Sequence, residues 1–209
     1  MAITVAFAGK GGTGKTTNCI MFANYLVEKG MTARILDLDF QQSAYRKRER
    51  DITAFNNEIP YEIIAGGSLE NGLDYIKHFQ ESNEEINLLI DLPGLIADKN
   101  IMNIITKADV VITPFTYESM VLQSTHETVN FMKIMNVKAK VFLVPNMLKR
   151  NVKYDLSVVH EHLSGFGFIT KELPERVALE RIVTLGAQKE ELTLVEPAYS
   201  QIVDVAGIK

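Results

Sequence analysis

The chain has 209 residues, 46% of them apolar and 23% charged, and 22 Lys+Arg against 26 Asp+Glu leave a formal net charge of −4. Such values exclude disordered, collagen-like and coiled-coil descriptions of the whole. The negative balance disfavours a globally basic nucleic-acid binder but not a local basic patch. A single cysteine, Cys19, excludes an intramolecular disulfide and any multi-cysteine metal site. No apolar run is long enough to span a bilayer and residues 1–9 show no secretion leader, so the expected compartment is the cytoplasm.

Apolar, β-rich runs alternate with helical patterns from end to end. Residues 4–9 read as a first strand. A helix over 15–29 follows, with Cys19, Phe22, Ala23 and Leu26 on one face and Gly30 as its stop. Strands are expected at 33–40, 61–65, 86–91, 110–115 and 140–145. Helices are expected at 68–80, 97–107, 117–135 and 152–163, then a last full helix at 174–185 and a short one at 198–206. Near-continuous apolar strands imply a sheet covered on both faces. Their alternation with helices implies right-handed crossovers and a mostly parallel, twisted sheet. Residues 1–209 are therefore expected to form one α/β unit. Ligands of such sheets sit beyond the carboxyl ends of the strands, here just after residues 9, 40, 91, 115 and 145.

The first of those places holds Gly9-Lys10-Gly11-Gly12-Thr13-Gly14-Lys15-Thr16, which fits G-x-x-x-x-G-K-[ST] between a strand and a helix. By residue frequencies the pattern arises by chance in roughly one chain per hundred of this length. Gly11, Gly12, Thr13 and Gly14 let backbone N–H groups converge on phosphate oxygens, and the following helix offers its free N–H groups to the same anion. Lys15 is placed to reach the β and γ phosphates, Thr16 to bind Mg²⁺, and Thr17 to lie near the α phosphate. Lys10 is a second cation in the loop: either an exposed loop residue, or a group that contacts phosphate across a dimer interface as an arginine finger does.

Lys10-Gly11-Gly12-Thr13-Gly14-Lys15-Thr16 resembles the deviant Walker A motif of the ParA/MinD family of P-loop ATPases, and the chain looks most like the short ParA-type partition ATPases. The likeness covers nearly the whole chain. It implies a single-domain P-loop NTPase fold, with ATP and Mg²⁺ as ligands. Asp37-Leu38-Asp39-Phe40-Gln41 resembles the family's D-x-D-P-Q segment, which gives Asp39 the role of positioning the attacking water and a place near Mg²⁺. Phe40 departs from the family's proline, and Asp37 is expected to face the other side of its strand by alternation. Asp91-Leu92-Pro93-Gly94 at the end of an apolar strand has the Walker B form, with Asp91 on Mg²⁺ and a Gly94 backbone N–H close to the γ phosphate. The resemblance places Asn146 on the adenine base, and Pro174 in a late segment packing near it. As plain structural residues, Asp39, Asp91 and Asn146 would be strand-end turn residues.

Arg46-Lys47-Arg48-Glu49-Arg50 puts four cations in five positions, and Lys138, Lys140, Lys149, Arg150 and Lys153 form a looser group. Each is either a solvated face or a set of DNA-phosphate contacts that read no sequence. His78, His126, His160 and His162 show no zinc spacing, and Cys19 reads as a buried small hydrophobe. With a first strand starting by residue 3, no N-terminal DNA-reading domain is expected. Residues 200–209 lack the basic amphipathic helix of a membrane anchor. The expectation is a cytoplasmic ATPase that is nucleoid-associated when ATP-bound. It forms a homodimer with ATP, binds DNA nonspecifically, and answers to a centromere-binding, ParB-like adaptor, with no membrane partner. It would segregate or position a plasmid, conjugative element or chromosome. The alternatives are a positioning ATPase acting on a protein cargo without DNA, and a metabolic ligase of the dethiobiotin synthetase type. Too few cysteines exclude an iron–sulfur reductase.

Overall fold

A computed structural model describes residues 3–55, 58–82, 84–94, 98–149, 151–154 and 156–209. Residue 97, residue 155 and Arg150, which carry parts of the expectations above, lie outside the described residues. The strands are β1 (Thr4–Phe7), β2 (Ala33–Asp37), β3 (Glu62–Ala65), β4 (Asn87–Asp91), β5 (Val110–Phe115), β6 (Lys140–Pro145) and β7 (Phe168–Ile169). They form a seven-stranded sheet in the order β3-β2-β4-β1-β5-β6-β7, with every neighbouring pair parallel. All carboxyl ends therefore share one edge. The register aligns Asp37 with Asp91, and Asp91 with Phe7, so the strands end level where the phosphate loop begins.

Helices cover both faces. On one, α1 (Lys15–Glu28), α2 (Ser43–Ala54), α7 (Val177–Glu180) and α8 (Lys189–Ala206) close over a core that includes Phe7, Phe22, Tyr25, Ile35, Leu89, Phe142 and Tyr199. On the other, α3 (Leu69–Glu81), α4 (Lys99–Lys107), α5 (Ser119–Ile134) and α6 (Leu156–Leu163) pack on Leu36, Ile90, Val111 and Leu143. The alternating faces of β4 feed the two cores separately: Leu88 and Ile90 go to one, Leu89 to the other.

Three elements depart from the periodicity. α2 carries no apolar stripe, because its buried positions are Ala44, Arg48 and Asp51. The helix expected at 174–185 is only four residues long. The chain beyond it is held in a loop by side chains: the Asn24 amide donates to the carbonyls of Val183 (2.9 Å) and Gly186 (3.1 Å). Arg48 and Asp51 grip Thr184 in the same loop. Conversely, α8 begins nine residues before its expected start and runs through Pro197. An interior proline costs a helix about 3 kcal/mol. Full burial of Val195 and Ile202 contributes about 1.5–3 kcal/mol each, with Ala198 and Tyr199 beside them. Packing outweighs the proline, and a Gln188–Glu191 capping box fixes the start.

Candidate functional site

The phosphate loop leaves β1 at the centre of the sheet edge and turns directly into α1. Gly14 caps α1 with φ 87°, and among the described residues no side chain caps the helix's first N–H groups, a terminus suited to an anion. A Cβ at Gly14 would lie 2.6 Å from the Asn146 amide nitrogen, so both backbone angle and space demand glycine. The Thr13 hydroxyl (2.9 Å) and the Lys15 ammonium (3.3 Å) both donate to the Lys10 carbonyl. Burial lowers the Lys15 pKa, and the carboxylates of Asp91 and Asp39 oppose that shift. Thr16 and Thr17 are half-buried at the start of α1.

Asp91 ends β4 fully buried, and neither carboxylate oxygen has a hydrogen-bond partner among the described residues. Burial pushes its pKa up to about 7. The neighbouring Thr16 hydroxyl opposes this. A buried carboxylate with both oxygens free beside a threonine hydroxyl is the donor set a hard cation takes. Among the described residues no three His, Cys, Asp or Glu side chains converge on a metal site by themselves. The set therefore fits Mg²⁺ that brings phosphate and water ligands with it. Gly94, three residues on, lies against the loop: a Cβ there would sit 2.8 Å from the Gly11 nitrogen.

Asp39 is half-buried in the β2–α2 loop, and its Oδ1 accepts the Gln41 N–H at 2.9 Å. The Gln42 N–H closes the same turn on the Asp39 carbonyl at 2.9 Å. Thus the loop without its proline is shaped by its own aspartate, and Phe40 is left 69% exposed. Asp37 corrects the alternation argument: it stands two residues before Asp39, and positions two apart along a strand share a face, so alternation does not turn the two carboxylates to opposite sides. Asp37 is fully buried, and its carboxylate accepts from the N–H groups of Asp39 (3.2 Å), Ala44 (3.0 Å) and Tyr45 (3.1 Å). It caps α2 and fixes the backbone of Asp39. No sequence signal separated it from a spectator; the helix it caps had no apolar stripe to announce it.

Asn146 follows β6, and its amide donates to the Thr13 carbonyl at 2.8 Å. It therefore braces the phosphate loop, a contact that strand-end placement alone did not reveal. Pro174 is brought alongside by bridging between Leu148 and residues 173–175. It borders an open cleft of about 350 Å³ together with Leu148, Lys149, Tyr154, Glu172 and Arg176; Asn146 is not among the described walls. Lys10 does not turn inward. Its ammonium lies 3.5 Å from the Met120 carbonyl at the start of α5. Lys15, Asp91, Gly94 and Asn146 thus gather around the loop, Asp39 borders it, and Lys10 reaches away from it.

Three comparisons bear on this arrangement. The CobQ/CobB/MinD/ParA nucleotide-binding domain family matches residues 4–187. A Protein ParA from Rhizobium radiobacter is 27% identical over 114 residues, covering 54% of this chain and 48% of that protein; the match spans about half the length of that relative. Among solved structures, a plasmid partition protein of Borrelia burgdorferi B31 bound to AMPPNP has a TM-score of 0.74 at 19% identity, with 98% of each chain covered. The septum site-determining protein MinD of Pyrococcus horikoshii, complexed with Mg-ADP, has a TM-score of 0.75 at 16% identity, covering 100% of this chain and 98% of that one. At such identities the structural likeness is one of fold.

Proposed function

The chain belongs to the CobQ/CobB/MinD/ParA nucleotide-binding domain family, and on that premise we propose that residues 1–209 act as one ParA-like ATPase domain that partitions or positions a cargo through a nucleotide-driven cycle. The observation that carries this reading is the buried Asp91, without a hydrogen-bond partner among the described residues, set beside Lys15 and Thr16 of the glycine loop. In the proposed cycle, N–H groups of Gly11, Gly12, Thr13 and Gly14 and the start of α1 hold the phosphates. Lys15 exchanges the Lys10 carbonyl for phosphate oxygen. Thr16 and Asp91, with Asp39 in reach, hold Mg²⁺, which neutralises phosphate charge. Thr17 lies by the α phosphate, and Asn146 and Pro174 serve the adenine. Asp39, on its backbone fixed by Asp37, orients the attacking water; positioning is most of what phosphoryl transfer asks of a protein.

Lys10 contributes its ammonium to a second copy of the chain, so ATP favours a homodimer. The dimer binds DNA without reading sequence, and a ParB-like adaptor stimulates turnover. Likeness to a plasmid partition protein supports the DNA arm. Likeness to MinD supports a second reading, a positioning ATPase whose cargo is a protein complex. The test is ATP-dependent cosedimentation with random duplex DNA, repeated with Asp39→Ala. The first reading expects salt-sensitive binding that Asp39→Ala prolongs. ATP turnover without any DNA capture favours the second, and absence of turnover rejects both.

A further inference from the structure

The basic run at 46–50 is not one patch. The Arg48 guanidinium is buried, donating to the Thr184 hydroxyl (2.9 Å) and carbonyl (2.8 Å) and to the Tyr61 carbonyl (2.6 Å). Lys47 pairs with Asp51 at 3.6 Å. Two cations remain. Arg46 has no side-chain partner among the described residues, and Arg50 only a 3.3 Å contact with the uncharged Arg46 carbonyl. One helical turn apart, they share the outer face of α2, with Cβ atoms about 5–6 Å apart.

They line an open groove with Gln41, Ser43, Glu49 and Thr53. Among the described residues its lining has no aromatic or large aliphatic side chain, so it lacks the buried anchor around which protein interfaces are built. Arginine, serine, threonine and glutamine are instead the side chains that bond phosphate and sugar. In the looser basic group three members are engaged elsewhere: Lys138 donates to Asn136 (2.8 Å), Lys140 to the Val205 carbonyl (2.9 Å), and Lys149 borders the cavity at Pro174. The groove is also rigidly placed, since Asp37 caps α2 and Thr184 clamps its inner face.

We propose that the outer face of α2, through Arg46 and Arg50, is where this chain takes the sugar–phosphate backbone of duplex DNA. Glu49, the carboxylate between them, limits the affinity by repulsion. The inference rests on the DNA-binding reading above and assigns that contact to one helix. Its test is binding to a random-sequence duplex by fluorescence anisotropy across a salt series, with ATP and Mg²⁺ present. R46A/R50A is expected to weaken binding roughly tenfold for duplexes of any sequence and to lower the slope of log affinity against log salt by about 2. E49Q is expected to tighten binding. K138A/K140A should stay within about twofold of the parent, and ATP turnover should be unchanged in all.

A double variant that binds like the parent, or E49Q binding more weakly, overturns the assignment while leaving the DNA reading intact. A parent chain that binds no duplex rejects the DNA reading itself, and the assignment with it. Preference of the parent for poly-glutamate over duplex, lost in R46A/R50A, makes the face a docking site for an acidic protein and overturns the proposal.

Discussion

Two residues at the sheet edge carry sharp consequences. Gly94 leaves no room for a methyl group beside the Gly11 nitrogen. Gly94→Ala should therefore push the two loops apart, at a cost of about 1–3 kcal/mol in stability. In single-turnover assays it should slow ATP cleavage at least tenfold, while ADP affinity, measured by calorimetry, shifts by less than about threefold. Asp91 sets a pH dependence. Burial holds it protonated up to about pH 7 in the fold, whereas an unfolded aspartate ionises near pH 4. Between those values folding takes up a proton, so the stability of the nucleotide-free chain falls as pH rises through that window and levels off above about 7. Asp91→Asn should flatten that fall, raising stability at pH 8 by up to about 4 kcal/mol relative to the parent. Urea midpoints at pH 5 and pH 8 measure it. The same substitution should remove Mg²⁺-dependent tightening of nucleotide binding.

Among the elements, α2 and α8 show what side-chain packing adds to propensity. Arg48 spends its guanidinium on Thr184 and Tyr61 rather than on solvent, with its charge also over the Tyr61 ring. Arg48→Met removes these bonds and leaves the Thr184 and Tyr61 carbonyls buried without donors, a loss of about 2–5 kcal/mol visible in chemical denaturation. Pro197→Ala should act in the other direction, adding about 1–3 kcal/mol by restoring the missing helix bond, and thermal melting reads it directly. These elements also mark how far the sequence could be read. The strands at 110–115 and 140–145 were legible to the residue, because buried parallel strands read as near-continuous apolar runs. α2 was not, because its buried face is Arg48 and Asp51, and a polar face held by a distant Thr184 leaves no periodic trace. The site divides in the same way. The glycine loop, Asp91 and Asn146 are tied to strand ends and could be placed by counting. The role of Asp37 as cap depends on a helix seven residues on that has no apolar stripe, and that of Asn146 as brace on a contact between segments far apart in sequence.

For the whole molecule, a parallel sheet that ends level at one edge gathers the phosphate loop, two carboxylates and Asn146 on a single face. Lys10 stands on that face with its ammonium over Met120, outside its own loop, and Met120 is 72% exposed. In the proposed dimer, a lysine so placed would serve a facing copy rather than its own site. Lys10→Ala is therefore expected to keep nucleotide binding within about threefold, yet to lose ATP-dependent dimerisation in sedimentation velocity. Beneath the dimer, the DNA and the cargo lies one claim: the loop from Gly9 to Thr17 grips a nucleotide triphosphate against Asp91. Titration calorimetry with ATP and Mg²⁺ tests it most directly. The account predicts one site per chain for the parent, a weaker response to GTP, and at least a hundredfold loss in Lys15→Ala. Equal heats from the parent and Lys15→Ala, or none from either nucleotide with folded protein, would contradict it.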